Sequence, residues 1–162
     1  MRRFFVSAMT GAMLACGGGS SPTAPTPIPV PQPPILQGQY SGGYLVQSCQ
    51  ETGAAIGSDF CRSLGSGGGM VYTPQQTGTT ISGTLSIGGF TPFSVSGTVA
   101  ADQSAVLAGS GQIFGFPATI TLTQWRGIVT GAMITGTYQY TITTPPPVVG
   151  SATVSGSFSL QR

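Results

Sequence analysis

The chain has 162 residues, of which only 5% are charged, and it contains no histidine and no lysine; ordinary globular proteins carry about a quarter charged residues. Binding a nucleic acid takes a basic face for the phosphates, and catalysis takes groups that titrate near neutrality or hold a metal. The composition supplies neither, so no enzyme activity, no cofactor or metal and no nucleic-acid partner is expected, and the length fits one domain with extensions.

Residues Met1–Ala15 begin with Arg2 and Arg3, continue as a short apolar run from Phe4 to Leu14, and end on a small residue. That layout is an export signal, too short to span a bilayer as a helix. The Arg2-Arg3-Phe4-Phe5-Val6 start also echoes a twin-arginine signal, although a plain charged start explains it as well. Once this segment is removed, Arg62, Arg126 and Arg162 stand against Glu51, Asp59 and Asp102, and the net charge is zero.

The junction Met13-Leu14-Ala15-Cys16 resembles the lipobox of bacterial lipoproteins. The resemblance implies cleavage before Cys16, fatty acylation of the Cys16 thiol and then of its amino group, and anchoring to a membrane of the cell envelope. Gly17 after the cysteine is compatible, in that family, with sorting to the outer membrane. The other reading is an ordinary cleaved signal followed by an incidental cysteine. Counting favours the lipobox: with Cys16 acylated, Cys49 and Cys61 remain as an even pair for an oxidising compartment. The competing reading of that stretch is a metal site of Cys49, Glu51, Asp59 and Cys61, which lacks a second cysteine pair and a histidine.

Residues 16–37 form the anchor cysteine and a linker. Gly17-Gly18-Gly19-Ser20-Ser21 is flexible, and from Pro22 to Pro34 prolines fall at nearly alternate positions, which favours extended polyproline II. Fully extended, the linker reaches about 65 Å at ~3.1 Å per residue. It is expected to hold the following domain off a membrane.

From Gly38 to Arg162 one strand pattern recurs. Ile81-Ser82-Gly83-Thr84-Leu85-Ser86-Ile87 alternates apolar and hydroxyl residues, as a β-strand with one dry face does, and places a glycine in the dry phase. The same apolar-x-Gly-x-apolar motif returns around Gly42, Gly97, Gly131, Gly136 and Gly156. Eight strands are predicted: Gly38–Gln47, Gly69–Gln76, Thr79–Ile87, Thr91–Ala100, Ala105–Ile113, Ala118–Gln124, Ile128–Thr143 and Val149–Gln161. Turn signals separate them, among them Thr77-Gly78, Gly88-Gly89, Arg126-Gly127 and Pro145-Pro146-Pro147. The seventh strand is long, and a β-bulge between Met133 and Ile134 would account for its change of phase.

Short connections between consecutive strands make an antiparallel meander, and eight strands with one dry face close into an up-and-down β-barrel. A β-sandwich of the same strands is the alternative. A small barrel must bend each strand sharply, and mid-strand glycines would relieve crowding where facing side chains converge. The domain resembles the calycin or lipocalin-like barrels, with Gly38-Gln39-Tyr40 standing where lipocalins carry Gly-x-Trp, and the sole Trp125 elsewhere. The resemblance implies carriage of a small apolar ligand.

Up-and-down connectivity sorts the loops. One end receives the linker and has short turns. The distal end has the long loop with Cys49 and Cys61 and the aromatic residues Phe60, Phe90, Phe114 and Phe116, with Phe93 beside them. These five phenylalanines are the candidate ligand-binding residues at an apolar mouth; the alternative is that they plug the barrel end as core. Two function classes are therefore open: a lipid-anchored module that binds a small apolar ligand, or a structural lipoprotein that meets another envelope protein through its surface. Trp125-Arg126 could touch lipid headgroups, and the Thr119, Thr121, Thr123 row could form a regular hydroxyl surface, though threonine is simply a good exposed strand residue.

Overall fold

The structure, a computed structural model, describes residues 28–56, 59–113, 115, 117–147 and 149–162. Eight antiparallel strands follow one another around a closed barrel: β1 (Tyr40–Gly53), β2 (Gly67–Thr77), β3 (Thr80–Ile87), β4 (Phe93–Val99), β5 (Ser104–Gln112), β6 (Thr119–Thr130), β7 (Met133–Thr144) and β8 (Gly150–Gln161). A four-residue helix, α1 (Phe60–Ser63), lies between β1 and β2. Closure is made by β1 and β8, paired from Ser41↔Gln161 to Gly53↔Gly150. The all-β meander barrel expected from the period-two pattern is thus the observed fold, and the sandwich is not.

Alternation sets the two faces. On β3, Ile81, Leu85 and Ile87 are fully buried while the hydroxyl residues between them face outward. The same phase on β7 and β8 buries Ile134, Tyr138, Tyr140, Val154, Phe158 and Leu160. Among the described residues no charged or non-aromatic polar residue is buried, so the interior is held by apolar and aromatic packing.

The mid-strand glycines are explained by close approach of backbones. Gly97, Gly136 and Gly156 lie in the inner phase, and a Cβ on each would overlap a carbonyl oxygen of the neighbouring strand: that of Val106, Arg126 and Leu45 respectively. At these three positions the first crowding relieved is with the backbone of the adjacent strand, ahead of the facing side chains that the sequence suggested.

Three expectations are corrected. Arg126-Gly127 is not a turn: both lie inside β6, which runs to Thr130, and Trp125 is buried in the barrel at 1% exposure. The hairpin comes later, at Gly131-Ala132, with Thr130 paired to Met133 and Gly131 at φ 60°. Glycine at the first loop position suits a two-residue hairpin. Second, the phase change at Met133 and Ile134 is that hairpin; the bulge of this region sits between Leu122 and Gln124. Third, β1 continues past Gln47 to Gly53, with a bulge between Val46 and Ser48, so Cys49 is a strand residue and not a loop residue.

The compact unit that holds the barrel begins at Pro31. Leu36, within the segment read as linker, is only 2% exposed and belongs to the core cluster. Its N–H donates to Gln76 Oε1 at 2.6 Å, and Gln76 Nε2 donates to the carbonyls of Pro34 at 3.1 Å and Gly78 at 2.8 Å. One glutamine thus straps the approach segment to the β2–β3 hairpin, with Leu36 entering the core. Leu36→Ala is expected to destabilise by about 2 kcal/mol, the low end for buried leucine because the approach segment that carries it can relax toward the space left. A urea unfolding midpoint unchanged by that substitution would contradict the entry of Leu36 into the core.

Candidate functional site

The distal mouth is built by the β1–β2 connection, the turn after β3, and the β5–β6 and β7–β8 connections. Cys49 on β1 is opposite Val154 of β8, and its sulfur is bonded to that of Cys61 in α1, with the Cα atoms 5.6 Å apart. The pair is a disulfide, which excludes the metal reading of the same residues. The Cys61 N–H donates to Glu51 Oε1 at 2.8 Å, and Val46 N–H donates to the Ser66 carbonyl at 2.9 Å. These links lay α1 over the barrel end, where Phe60 and Leu64 pack, partly buried, against the core. Arg62 and Asp59 approach at 3.8 Å, but both are largely exposed and such a pair contributes little.

Phe60 lines an apolar cleft of about 150 Å³ with Ala54, Ala55, Ile142, Gly150 and Ala152. Phe90, half-buried, sets its edge on the Tyr140 ring, with centroids 6.2 Å apart and planes at 83°. Phe93 is an interior residue of β4 at 4% exposure. Phe93 therefore belongs to the core cluster, and Phe60 and Phe90 pack, partly buried, against it. Phe114 and Phe116, like Cys16, lie outside the described residues.

Below the mouth the barrel is occupied by rings. Tyr140 stacks on Tyr138 at 5.8 Å, and Tyr138 meets the edge of Tyr44 at 5.6 Å. Trp125 stacks on Phe158 at 4.5 Å and contacts Tyr72 at 5.9 Å. Tyr138 Oη donates to the Leu45 carbonyl at 3.2 Å, whereas Tyr40 Oη, Tyr140 Oη and Trp125 Nε1 are buried without a protein partner. The sequence placed none of these tyrosines in a site, because an inward tyrosine reads as core at period two.

Burial pushes the hydroxyls of Tyr44, Tyr72, Tyr138 and Tyr140 above their ordinary value, and neighbouring tyrosines add to the rise at Tyr72, Tyr138 and Tyr140. An unfolded tyrosine loses its proton near pH 10, while these hold theirs to higher pH. Their contribution to stability is therefore complete below about pH 10 and is lost as the pH rises above it. Absorbance at 295 nm should show these tyrosines ionising together with loss of near-ultraviolet dichroism. Smooth ionisation near pH 10 with the dichroism intact would contradict their burial.

The outer wall is a hydroxyl surface. Thr141 and Thr153 approach at 3.2 Å, Ser48 and Ser155 at 2.8 Å, and Thr52 and Ser151 at 2.7 Å, each pair bridging adjacent strands. Thr119 and Thr121 pair with Thr143 and Thr141 of β7. The row is broken at Thr123, which the β6 bulge displaces so that its hydroxyl donates to the Gln139 carbonyl at 3.1 Å. Further open grooves lie outside the barrel: about 600 Å³ between the approach segment and β2, about 520 Å³ over the outer faces of β2 to β5, and about 310 Å³ at the distal end between Gln112, Pro117, Thr119, Thr143 and Pro145.

Groups for chemistry are sparse and apart. Glu51 and Asp59 are at the distal end, while Asp102 is in the β4–β5 turn at the other end. Hydrogen bonds from the Ser104 hydroxyl and N–H hold the Asp102 carboxyl below its ordinary value. Among the described residues no three metal-ligating side chains cluster. Compared with models of known protein families and with curated protein sequences, the chain matches none.

Proposed function

We propose that the chain is a lipid-anchored, non-catalytic module of the bacterial outer membrane that acts through its outer surface. The anchor rests on the signal-like segment that ends at Leu14-Ala15-Cys16 and on the pairing of the other two cysteines. Action at the surface rests on one observation above all: the interior is filled by the protein's own rings, from Phe90 and Tyr140 at the mouth to Trp125 and Phe158 deeper in. The partner of such a surface is an envelope component that meets a wall of serine and threonine with few charges. Intact and native mass measurements of protein taken from membranes in mild detergent test both parts. The expected mass is a chain beginning at an acylated Cys16 with no retained small molecule; an unmodified thiol at residue 16 would refute the anchor.

A second reading, carriage of a small apolar ligand at the distal mouth, is favoured by the cleft beside Phe60. Its 150 Å³ is half of the roughly 300 Å³ at which ligand sites usually begin, so it suits a short alkyl group or single ring. A bound molecule in the native mass, lost on Phe60→Ala, would favour this reading over the first.

A further inference from the structure

The outer wall is hydroxyl-rich, and its exposed apolar residues gather in one place apart from Leu45. Among the described residues, four strand residues expose large apolar side chains: Leu45 by itself on β1, and Val106, Ile128 and Met133 at 42%, 49% and 42% exposure on the consecutive strands β5, β6 and β7. The register puts these three together. Val106 is opposite Arg126, Ile128 is two residues further along β6, and Thr130 beside it pairs with Met133. All three lie within three residues of the strand ends that meet the β4–β5 turn and the β6–β7 hairpin. This is the end at which residues 31–38 lead into β1.

We propose that this end of the barrel rests on a phospholipid bilayer through Val106, Ile128 and Met133. The inference builds on the lipid-anchor reading and adds an orientation to it. Three half-exposed side chains are too little for a stable protein interface, which takes about 1,000 Å² or more. They are enough when the chain is already held at the membrane, because docking is then intramolecular. Arg126, exposed within the stripe, is placed for an anionic headgroup. Asp102 at the same end keeps its charge and opposes this, so the apolar residues carry the contact. In this orientation the α1 flap and the cleft beside Phe60 face away from the bilayer.

The test uses the full lipidated chain in vesicles of phosphatidylcholine and phosphatidylglycerol. A fluorophore is placed on Thr130→Cys, inside the stripe, or on Thr143→Cys, exposed at the distal end. Phospholipids with spin-labelled headgroups should quench the label at 130 strongly and the one at 143 little. The triple variant Val106→Ser, Ile128→Ser, Met133→Ser should lose the quenching at 130 while still floating with the vesicles. Its near-ultraviolet dichroism should match the parent, since exposed positions tolerate substitution. Flotation without preferential quenching at 130 overturns the docking and leaves the anchor standing. A chain that does not float at all overturns both.

Discussion

Alanine at Gly97, Gly136 or Gly156 is expected to destabilise the barrel by about 3 kcal/mol or more at each position. The cause is geometric. Each glycine sits in the inner phase of a tightly coiled strand, and an added Cβ would overlap a neighbouring carbonyl oxygen that is itself part of the sheet. Gly97 is opposite Leu107 on β5, and the carbonyl in its way belongs to Val106. A flexible side chain could move aside at little cost; a backbone carbonyl moves only if the ladder around it opens. Gly89 is the control, because a Cβ there meets nothing within 4 Å and its φ is not in the left-handed region. Gly89→Ala should change stability by less than about 0.5 kcal/mol. Equal urea midpoints for Gly97→Ala and Gly89→Ala would show that the barrel does not need the close approach.

Loss of the disulfide is the second large effect. Cys49 and Cys61 are 12 residues apart, and opening a loop of that size is expected to cost about 3 kcal/mol in the chain-entropy model. The damage should be local as well as global. Without the bond, α1 loses its covalent tie to β1 and leans on the Glu51 acceptor for the Cys61 N–H, the Val46–Ser66 backbone bond and the partial burial of Phe60 and Leu64. A four-residue helix has no stability of its own. Thermal unfolding with and without a dithiol reductant should show the loss. Amide exchange should show residues 59–66 released first, ahead of the β6–β7–β8 wall. A melting temperature indifferent to the reductant would contradict the role given to the bond.

The strands were legible because alternation is a direct consequence of strand geometry, and most of this sequence alternates. The failures have specific causes. The motif Val129-Thr-Gly131-Ala-Met133 is written like Ile134-Thr-Gly136-Thr-Tyr138, yet the first holds a hairpin and the second an extended strand. Glycine permits both conformations, and only the pairing of β6 with β7 chooses between them. Arg126-Gly127 looked like a turn on local chemistry, but Trp125 beside it is held in the interior by Phe158 and Tyr72. The extension of β1 through Gln50, Glu51 and Thr52 has no apolar phase to reveal it; β8 supplies the pairing. Leu36 was masked by the prolines around it, since their composition marks a linker whatever one leucine does. At the distal mouth the sequence indicated the end and the phenylalanines and left open whether they line a site or plug the barrel; Phe93 lies in the core, and Phe60 and Phe90 pack, partly buried, against it.

A barrel filled by its own side chains and acting at its surface makes one direct demand on solution behaviour. Trp125 is the sole tryptophan, is 1% exposed, and lies in the ring stack, so its indole N–H gives one nuclear magnetic resonance signal from the middle of the barrel. Titration with short-chain alkyl compounds and with longer fatty acids should leave that signal and the amides of Leu107, Tyr138 and Val154 in place, with any shifts confined to α1 and the residues beside Phe60. A saturable shift of the Trp125 indole together with those interior amides would mean that the barrel takes a ligand inside, and the filled-interior account would be wrong.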